Sequence, residues 1–170
     1  MPLWMPPSNL LGMMELSLAK KGIAVWEQDN LDKVLNIGCG EKMIAGSTSL
    51  DLPEWDADKM DIPFDDETFT TIFAIHFLEH IERPVYILRE LQRVLQVGGH
   101  LNIALPYYSA QAAYQDLDHK SFWCEETWRN TFNNPYSVKG HQGWRFRVGA
   151  NFIIGLVERN MMLLTQLTKE

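Results

Sequence analysis

This chain of 170 residues has no apolar stretch that approaches the length of a membrane-spanning helix. Its longest apolar run, 152–157, is broken by Gly155 and falls far short of the roughly 20 residues that a bilayer span requires. Residues 1–21 lack a basic n-region and a cleavage pattern, so we expect no signal peptide. The sequence therefore argues against membrane insertion and against secretion.

Cysteine and positive charge are also scarce. The two cysteines, Cys39 and Cys124, cannot build a disulfide framework, which favours a reducing cytoplasm. Lysine and arginine number 15 against 22 acids, giving a formal charge of −7 that disfavours a nucleic-acid partner. With 46% hydrophobic residues, the chain is expected to form one globular domain, 1–170.

The most informative pattern that is present is a strand ending in two glycines, followed by a second strand ending in an acid. The apolar run 34–37 leads into Gly38-Cys39-Gly40, and the short strand pattern 47–50 leads into Asp51. Glycines let the backbone approach a ligand closely, and a carboxylate can accept hydrogen bonds from both hydroxyls of a ribose. The order of these features predicts a crevice that binds a nucleoside.

The spacing of this pattern limits which class of nucleoside the site can bind. The third glycine of the dinucleotide fingerprint is missing, since Met43 stands three residues after Gly40, and Asp51 comes only eleven residues after Gly40, whereas dinucleotide sites expect about 20 residues before their ribose acid. The short connection leaves at most one helical turn, which removes the helix end that binds phosphates. A dehydrogenase is therefore disfavoured, and S-adenosylmethionine, a nucleoside without phosphates, suits the site.

Four stretches, the first of which is the glycine pattern just described, make the chain resemble the class I S-adenosylmethionine-dependent methyltransferases, in particular compact type 11-like members with a shortened first loop. The resemblance implies an α/β fold, a three-layer Rossmann-like sandwich. Its mostly parallel sheet would have the order 3-2-1-4-5-7-6 and an antiparallel last strand. The stretches are VLNIGCG at 34–40, DKMDIPFDDETFTTIFAIHFLEHI at 58–81, LRELQRVLQVGGHLNIALP at 88–106 and DHKSFWCEETW at 118–128.

Periodicity and turn residues predict the elements of this fold. Asp58 ends a third short strand or an extended turn. The segment 107–146 holds ten of the nineteen aromatic residues and is expected on the substrate side of the sheet. Its aromatic rings are expected to be buried in the core more often than to form a platform for the substrate. The expected helices are 9–21, a leading helix folded over the sheet, and 84–96; the other expected strands are 33–37, 47–51, 70–75, 100–105, 145–154 and 160–168.

The resemblance and the strand-end pattern together define the expected cofactor site. The glycines would lie under the methionine part, Asp51 would bind the ribose, and Asp58 would accept a hydrogen bond from the exocyclic amine of adenine. A backbone N–H of Lys59 or Met60 would meet a ring nitrogen, and Asn36 stands where the family usually has an acid. The expected set is Asn36, Gly38, Cys39, Gly40, Asp51, Leu52, Asp58, Lys59, Met60 and His76.

Two histidines are candidates for a general base. By resemblance His76 would lie near the transferred methyl group, and His119 would lie beside the substrate entrance or serve as a hydrogen-bonded lid residue. Glu79 and His80 are expected to hold the following helix start. His76 and His80 also have a helical metal spacing, but no third ligand is close in sequence, so no metal is expected.

These expectations leave two hypotheses open. The leading one is an enzyme that moves a methyl group from S-adenosylmethionine to a small or medium-sized acceptor. The other is a catalytically silent, methyltransferase-like protein that binds S-adenosylmethionine or a partner. The cationic and histidine side chains of Lys139, His141, Arg145 and Arg147 are interpreted as a solvated face, with contact to a phosphate-bearing acceptor as the alternative.

Overall fold

A computed structural model of the chain describes residues 33–40, 44, 46–133, 143–155 and 161–170. The expected leading helix 9–21, the first-crossover residues 41–43, and Lys139 and His141 of the cationic group lie outside these ranges. Within the described ranges, the helices are too short or too polar to traverse a bilayer.

The described residues form one six-stranded mixed sheet. The order is β2-β1-β3-β4-β6-β5, in which the four strands β2, β1, β3 and β4 run parallel and β6 runs antiparallel to both neighbours. The parallel strands therefore end at one edge of the sheet. The bounds are β1 Val34–Ile37, β2 Thr48–Leu50, β3 Phe69–Ile75, β4 Leu95–Pro106, β5 Phe146–Ile154 and β6 Met162–Lys169.

The central strands are apolar on both faces, as strands buried within a parallel sheet should be. Neighbouring residues of one strand belong to different core clusters because successive side chains point to opposite faces. On β1, Leu35 and Ile37 join the larger cluster, whereas Val34 joins the smaller one. Phe73 of β3 also belongs to the smaller cluster.

Helix α1, Pro84–Val94, packs against the larger cluster. Pro84 lies in its first turn, where the absent N–H costs no hydrogen bond. The buried stripe that the periodicity predicts is present and consists of Ile87, Leu88, Leu91 and Val94. A second helix, α2, covers Glu125–Asn133, and two short 3₁₀ turns cover Leu78–His80 and Gln111–Ala113.

The junction between α1 and β4 differs from the expected boundaries, helix 84–96 and strand 100–105. The helix ends at Val94, and Leu95 already pairs with Phe69 of β3. The buried ammonium of Lys169 donates a 2.6 Å hydrogen bond to the Leu95 carbonyl, which holds this residue in the sheet. Tertiary pairing therefore ends the helix before the glycine that follows it in sequence.

The α/β Rossmann-like fold is confirmed, with one difference in strand order. The observed order corresponds to 2-1-4-5-7-6, so the expected third strand is not among the strands of the described residues. The segment around Asp58 forms turns, which was the alternative to a strand there, and the N–H groups of Trp55 and Met60 bond to carbonyls four residues earlier. The expected antiparallel pair at the C-terminus is present as β5 and β6.

Candidate functional site

The predicted cofactor residues follow the carboxyl ends of neighbouring parallel strands. Gly38 follows β1, Asp51 follows β2 and His76 follows β3. Ligands of open α/β sheets bind in the crevice outside these strand ends. The fold therefore gathers the sequence-predicted residues of three separate loops at one edge of the sheet.

The two glycines after β1 have different surroundings. Both have positive φ, +63° at Gly38 and +53° at Gly40. A Cβ added at Gly38 would lie 2.3 Å from Cδ2 of Phe77, whereas one added at Gly40 would meet no atom within 4 Å. Gly38 is thus required by its contact with Phe77, a packing reason that the sequence did not reveal, whereas the space beside Gly40 holds no atom of the described residues.

Asp51 joins the ends of β1 and β2. Its Oδ2 accepts a hydrogen bond from the N–H of Gly40, and its Oδ1 accepts a 2.8 Å bond from the N–H of Leu52. A carboxylate offers about four lone-pair positions, so two acceptor positions remain for hydroxyl groups. The two residues that the sequence assigned to the methionine and ribose parts are in direct contact.

The other predicted residues around this contact differ in exposure. Asn36 is buried within β1, the Cys39 side chain is partly buried, and the Leu52 side chain is 67% exposed. Burial raises the pKa of the Cys39 thiol, and the negative charge of Asp51 adds a smaller increase. Cys39 therefore stays a neutral thiol at physiological pH, which excludes a nucleophilic thiolate at this position.

Asp58 holds the start of α1. Its carboxylate accepts hydrogen bonds from the N–H of Glu82 at 3.0 Å and of Arg83 at 3.1 Å. The backbone N–H groups of Lys59 and Met60, which were expected to meet the adenine ring, both donate to the Asp56 carbonyl. The anchoring role of Asp58 was not predicted, and its contact with adenine stays a prediction.

A charged pair on α1 fixes the segment that follows Asp58. Arg93 donates to the carbonyls of Ile62 and Phe64 at 2.9 and 2.8 Å, and Glu90 accepts from the N–H of Ile62 at 3.0 Å. The two side chains bond to each other at 2.7 and 2.9 Å. The hydrogen bonds from Arg93 lower the pKa of Glu90, which therefore stays ionised at neutral pH. Sequence reasoning missed this pair because its partners lie about 30 residues away.

His76 has an unusual backbone conformation at the end of β3. Its φ is +52°, a left-handed value that is uncommon for residues other than glycine and that concentrates at functional sites. The ring Nδ1 lies 3.0 Å from Oε1 of Glu79, and the His76 side chain is 42% exposed while that of Glu79 is 1% exposed. The buried carboxylate therefore orients an accessible imidazole.

The segment that carries His119 is attached to the same place. The carbonyl of Glu79 accepts hydrogen bonds from the N–H groups of Lys120 at 2.7 Å and Ser121 at 3.2 Å. As a result the rings of His80 and His119 pack edge to face, with centroids 4.8 Å apart. The structure thus brings both predicted histidine candidates next to Glu79, although His76 and His119 lie on different loops.

Most aromatic side chains of 107–146 that the structure describes belong to the core or pack on it, as expected. Trp123, Trp128 and Phe146 are buried, and Tyr107 packs against them. Burial raises the pKa of Tyr107 to about 12, and its bond to Glu125 adds to this effect, so its hydroxyl remains protonated and cannot serve as a base. Among the described residues of this segment, the exposed large rings are those of Tyr108, Tyr114 and Phe122.

Comparison with known proteins agrees with this geometry. The family model described as "Methyltransferase domain" matches residues 18–103, which is 86 of the 170 residues. A protein of Bacillus subtilis (strain 168) named "Putative methyltransferase YrhH" is 42% identical over 45 residues, 26% of this chain and 25% of that protein. The chain therefore aligns with about a quarter of the length of this relative.

Two solved structures share the fold over most of their length. A SAM-dependent methyltransferase from Thermotoga maritima has a TM-score of 0.61 at 15% identity, covering 93% of this chain and 89% of that one. An S-adenosylmethionine-dependent methyltransferase from Mesorhizobium loti has a TM-score of 0.57 at 15% identity, with 94% and 100% covered. The family match and the shared sheet agree on one assignment: this chain belongs to the methyltransferase domain family of class I S-adenosylmethionine-dependent methyltransferases.

Proposed function

We propose that this chain transfers the methyl group of S-adenosylmethionine to a small or medium-sized acceptor. The observation that supports the proposal most directly is the contact between Asp51 and the Gly40 N–H beside an open space. The spare acceptor positions of Asp51 suit a ribose, and the bare backbone at Gly40 leaves room for a ligand. Gly38, Cys39 and Asn36 would complete this side of the cofactor site.

When bound, S-adenosylmethionine would supply a methyl group on a positively charged sulfur. The nucleophile of the acceptor bonds to the methyl carbon, S-adenosylhomocysteine leaves, and the step needs no metal. The main task of the protein is then to align the acceptor, because positioning supplies most of the rate of such a step. The exposed rings of Tyr108, Tyr114 and Phe122 offer an apolar surface for the acceptor. Tyr114 and Phe122 stack on each other with centroids 4.6 Å apart.

His76 is the side chain that we propose as the proton acceptor for an oxygen or nitrogen nucleophile. Its Nδ1 faces Glu79, so Nε2 remains for the acceptor, and the buried carboxylate would stabilise the positive charge that the ring gains. His119 is less suited to this role because it packs on His80 and bonds through Nδ1 to the carbonyl of Ala113.

The second candidate function, a silent binding protein, is favoured by the state of the Lys59 and Met60 N–H groups. Both donate to Asp56, so they offer no hydrogen bond to adenine in this conformation. Without hydrogen bonds from these two N–H groups to adenine, S-adenosylmethionine would bind more weakly although the fold would be the same. This second hypothesis predicts that the protein binds the cofactor or a partner without turnover.

Calorimetry with S-adenosylmethionine, S-adenosylhomocysteine and NAD, each titrated separately, tests cofactor binding. We expect both sulfur-containing nucleosides to bind and NAD not to bind, and the opposite result would refute the proposal. A screen of small acceptors for S-adenosylhomocysteine release then separates the two functions. Release above the background of the Asp51→Ala variant supports the enzyme, and binding without release across the panel supports the silent protein.

A further inference from the structure

A carboxylate and two imidazoles converge beside the 3₁₀ turn Leu78–His80. One oxygen of Glu79 and one ring nitrogen each of His80 and His119 all lie within 4.8 Å of one another. Around a tetrahedral ion with bonds of about 2.0–2.1 Å, ligand atoms lie roughly 3.4 Å apart. Side-chain rotations that move these three atoms by about an ångström would bring them to that separation.

His119 is oriented in the way that metal-binding histidines usually are. Its Nδ1 lies 2.9 Å from the carbonyl oxygen of Ala113. A carbonyl only accepts, so Nδ1 donates this bond, and in the neutral ring the lone pair is then on Nε2. Ligating histidines almost always donate their second N–H to a carbonyl or carboxylate, because that bond fixes the tautomer and makes the other nitrogen more basic.

Glu79 supplies the second, independent observation. Its side chain is 1% exposed, and Oε1 pairs with His76, but Oε2 is buried without a hydrogen-bond partner among the described residues. Burying a carboxylate is costly unless its oxygens are paired or bind a metal. A cation held with His80 and His119 would satisfy this oxygen.

We propose that Glu79, His80 and His119 bind a divalent transition-metal ion, for which Zn²⁺ is the best match. Imidazole nitrogens favour zinc and its neighbours over magnesium and calcium, which prefer oxygen ligands. Two histidines and one glutamate form the ligand set of zinc sites that keep a further position open. His76 would support the site through Glu79, in the manner of residues that hold a ligand in place.

The site does not depend on methyl transfer. Its ligands join the turn after β3 to the segment 116–121, so an ion would cross-link two loops at the sheet edge. The local spacing of His76 and His80 suggested a different pair of ligands. The third ligand, His119, lies 39 residues beyond His80, and hydrogen bonds from Lys120 and Ser121 to the carbonyls of Leu78 and Glu79 bring its segment close.

Calorimetry with ZnCl₂ on the full chain after chelator treatment tests the proposal. We expect one Zn²⁺ per chain, and no binding at this stoichiometry would overturn the site. CoCl₂ gives a second measurement, because Co²⁺ held by nitrogen and oxygen ligands has visible d–d bands. A sulfur-to-cobalt charge-transfer band would place the ion at Cys39 or Cys124 instead and would also overturn the proposal.

Matched histidine variants locate the ion. We expect His80→Ala and His119→Ala each to weaken Zn²⁺ binding by at least about a hundredfold, since even the loss of a supporting residue costs 10–100-fold. His100→Gln is the control, because His100 lies on β4 and pairs with Thr168. Equal binding by all three variants would refute the assignment. Circular dichroism of each variant reports folding, and the wild-type cobalt spectrum decides the outcome if a variant does not fold.

Discussion

Replacing Gly40 by alanine tests whether the space beside it is the cofactor site, and Gly98→Ala is the matched control. Both glycines have positive φ, +53° and +81°, and at either position an added Cβ meets no atom of the described part of the chain within 4 Å. The two variants therefore differ in location and hardly in local strain. Gly40 follows the carboxyl end of β1, whereas Gly98 lies near the amino end of β4, at the opposite edge of the sheet.

The expected effect on stability is similar for both variants. A left-handed conformation costs an alanine about 1–2 kcal/mol, and the reduced freedom of the unfolded chain returns about 0.4–1 kcal/mol. The net loss is thus on the order of 1 kcal/mol in each case. Thermal unfolding should show comparable decreases in Tm for Gly40→Ala and Gly98→Ala.

The effect on ligand binding should separate the variants. If the cofactor occupies the space beside Gly40, the new methyl group crowds it, and overpacking of this kind costs about 1–3 kcal/mol. This corresponds to a roughly five- to 150-fold higher Kd for S-adenosylhomocysteine. Gly98→Ala should bind like the wild type. Equal affinities of the two variants would show that the ligand does not lie against Gly40.

Three further variants test other parts of the site. Asp51→Ala should weaken S-adenosylmethionine binding by about 1.5–3 kcal/mol, the range for hydrogen bonds to a charged group, and unchanged affinity in calorimetry would place the ribose elsewhere. His76→Asn, which tolerates the left-handed backbone, should lower kcat by about 10²–10⁴-fold in a turnover assay, a much larger effect than any on cofactor affinity; full activity would exclude His76 as the base. Glu90→Gln should lower the free energy of unfolding at pH 7 by about 1–3 kcal/mol, measured by urea unfolding. Because the folded pKa of Glu90 is depressed by Arg93, this contribution is present above the unfolded pKa of about 4.3 and is lost as the pH falls through the folded pKa. A difference between Glu90→Gln and wild type that persists in full at low pH would contradict the assignment.

The features that local sequence could predict are those set by one strand and its immediate end. The run 34–37 is apolar because it is buried on both faces, and its glycines and Asp51 end adjacent strands, so their contact follows from parallel pairing. The stripe on α1 was equally predictable, because it follows from helical periodicity alone.

The features that could not be predicted depend on contacts between distant segments. Phe77 explains Gly38 only once β1 and β3 are paired. The end of α1 shifted because Leu95 pairs with Phe69, and the approach of His119 to His80 needs hydrogen bonds across about 40 residues. In each case a tertiary contact outweighed the local pattern, which carries no information about its partner.

The two sides of the proposed cofactor site are held by different means. On the ribose side, Gly40 and Asp51 end strands that the sheet itself aligns. On the adenine side the segment 52–64 forms no strand, and its position depends on Asp58 at the start of α1 and on Glu90 and Arg93 within α1. Hydrogen bonds with Glu90 and Arg93 of α1 thus fix this segment, which in a sheet with a third strand would be held by strand pairing. It follows that loss of Glu90 should reduce stability and cofactor affinity together, whereas loss of Asp51, whose neighbours remain fixed by backbone pairing, should reduce affinity with little change in stability.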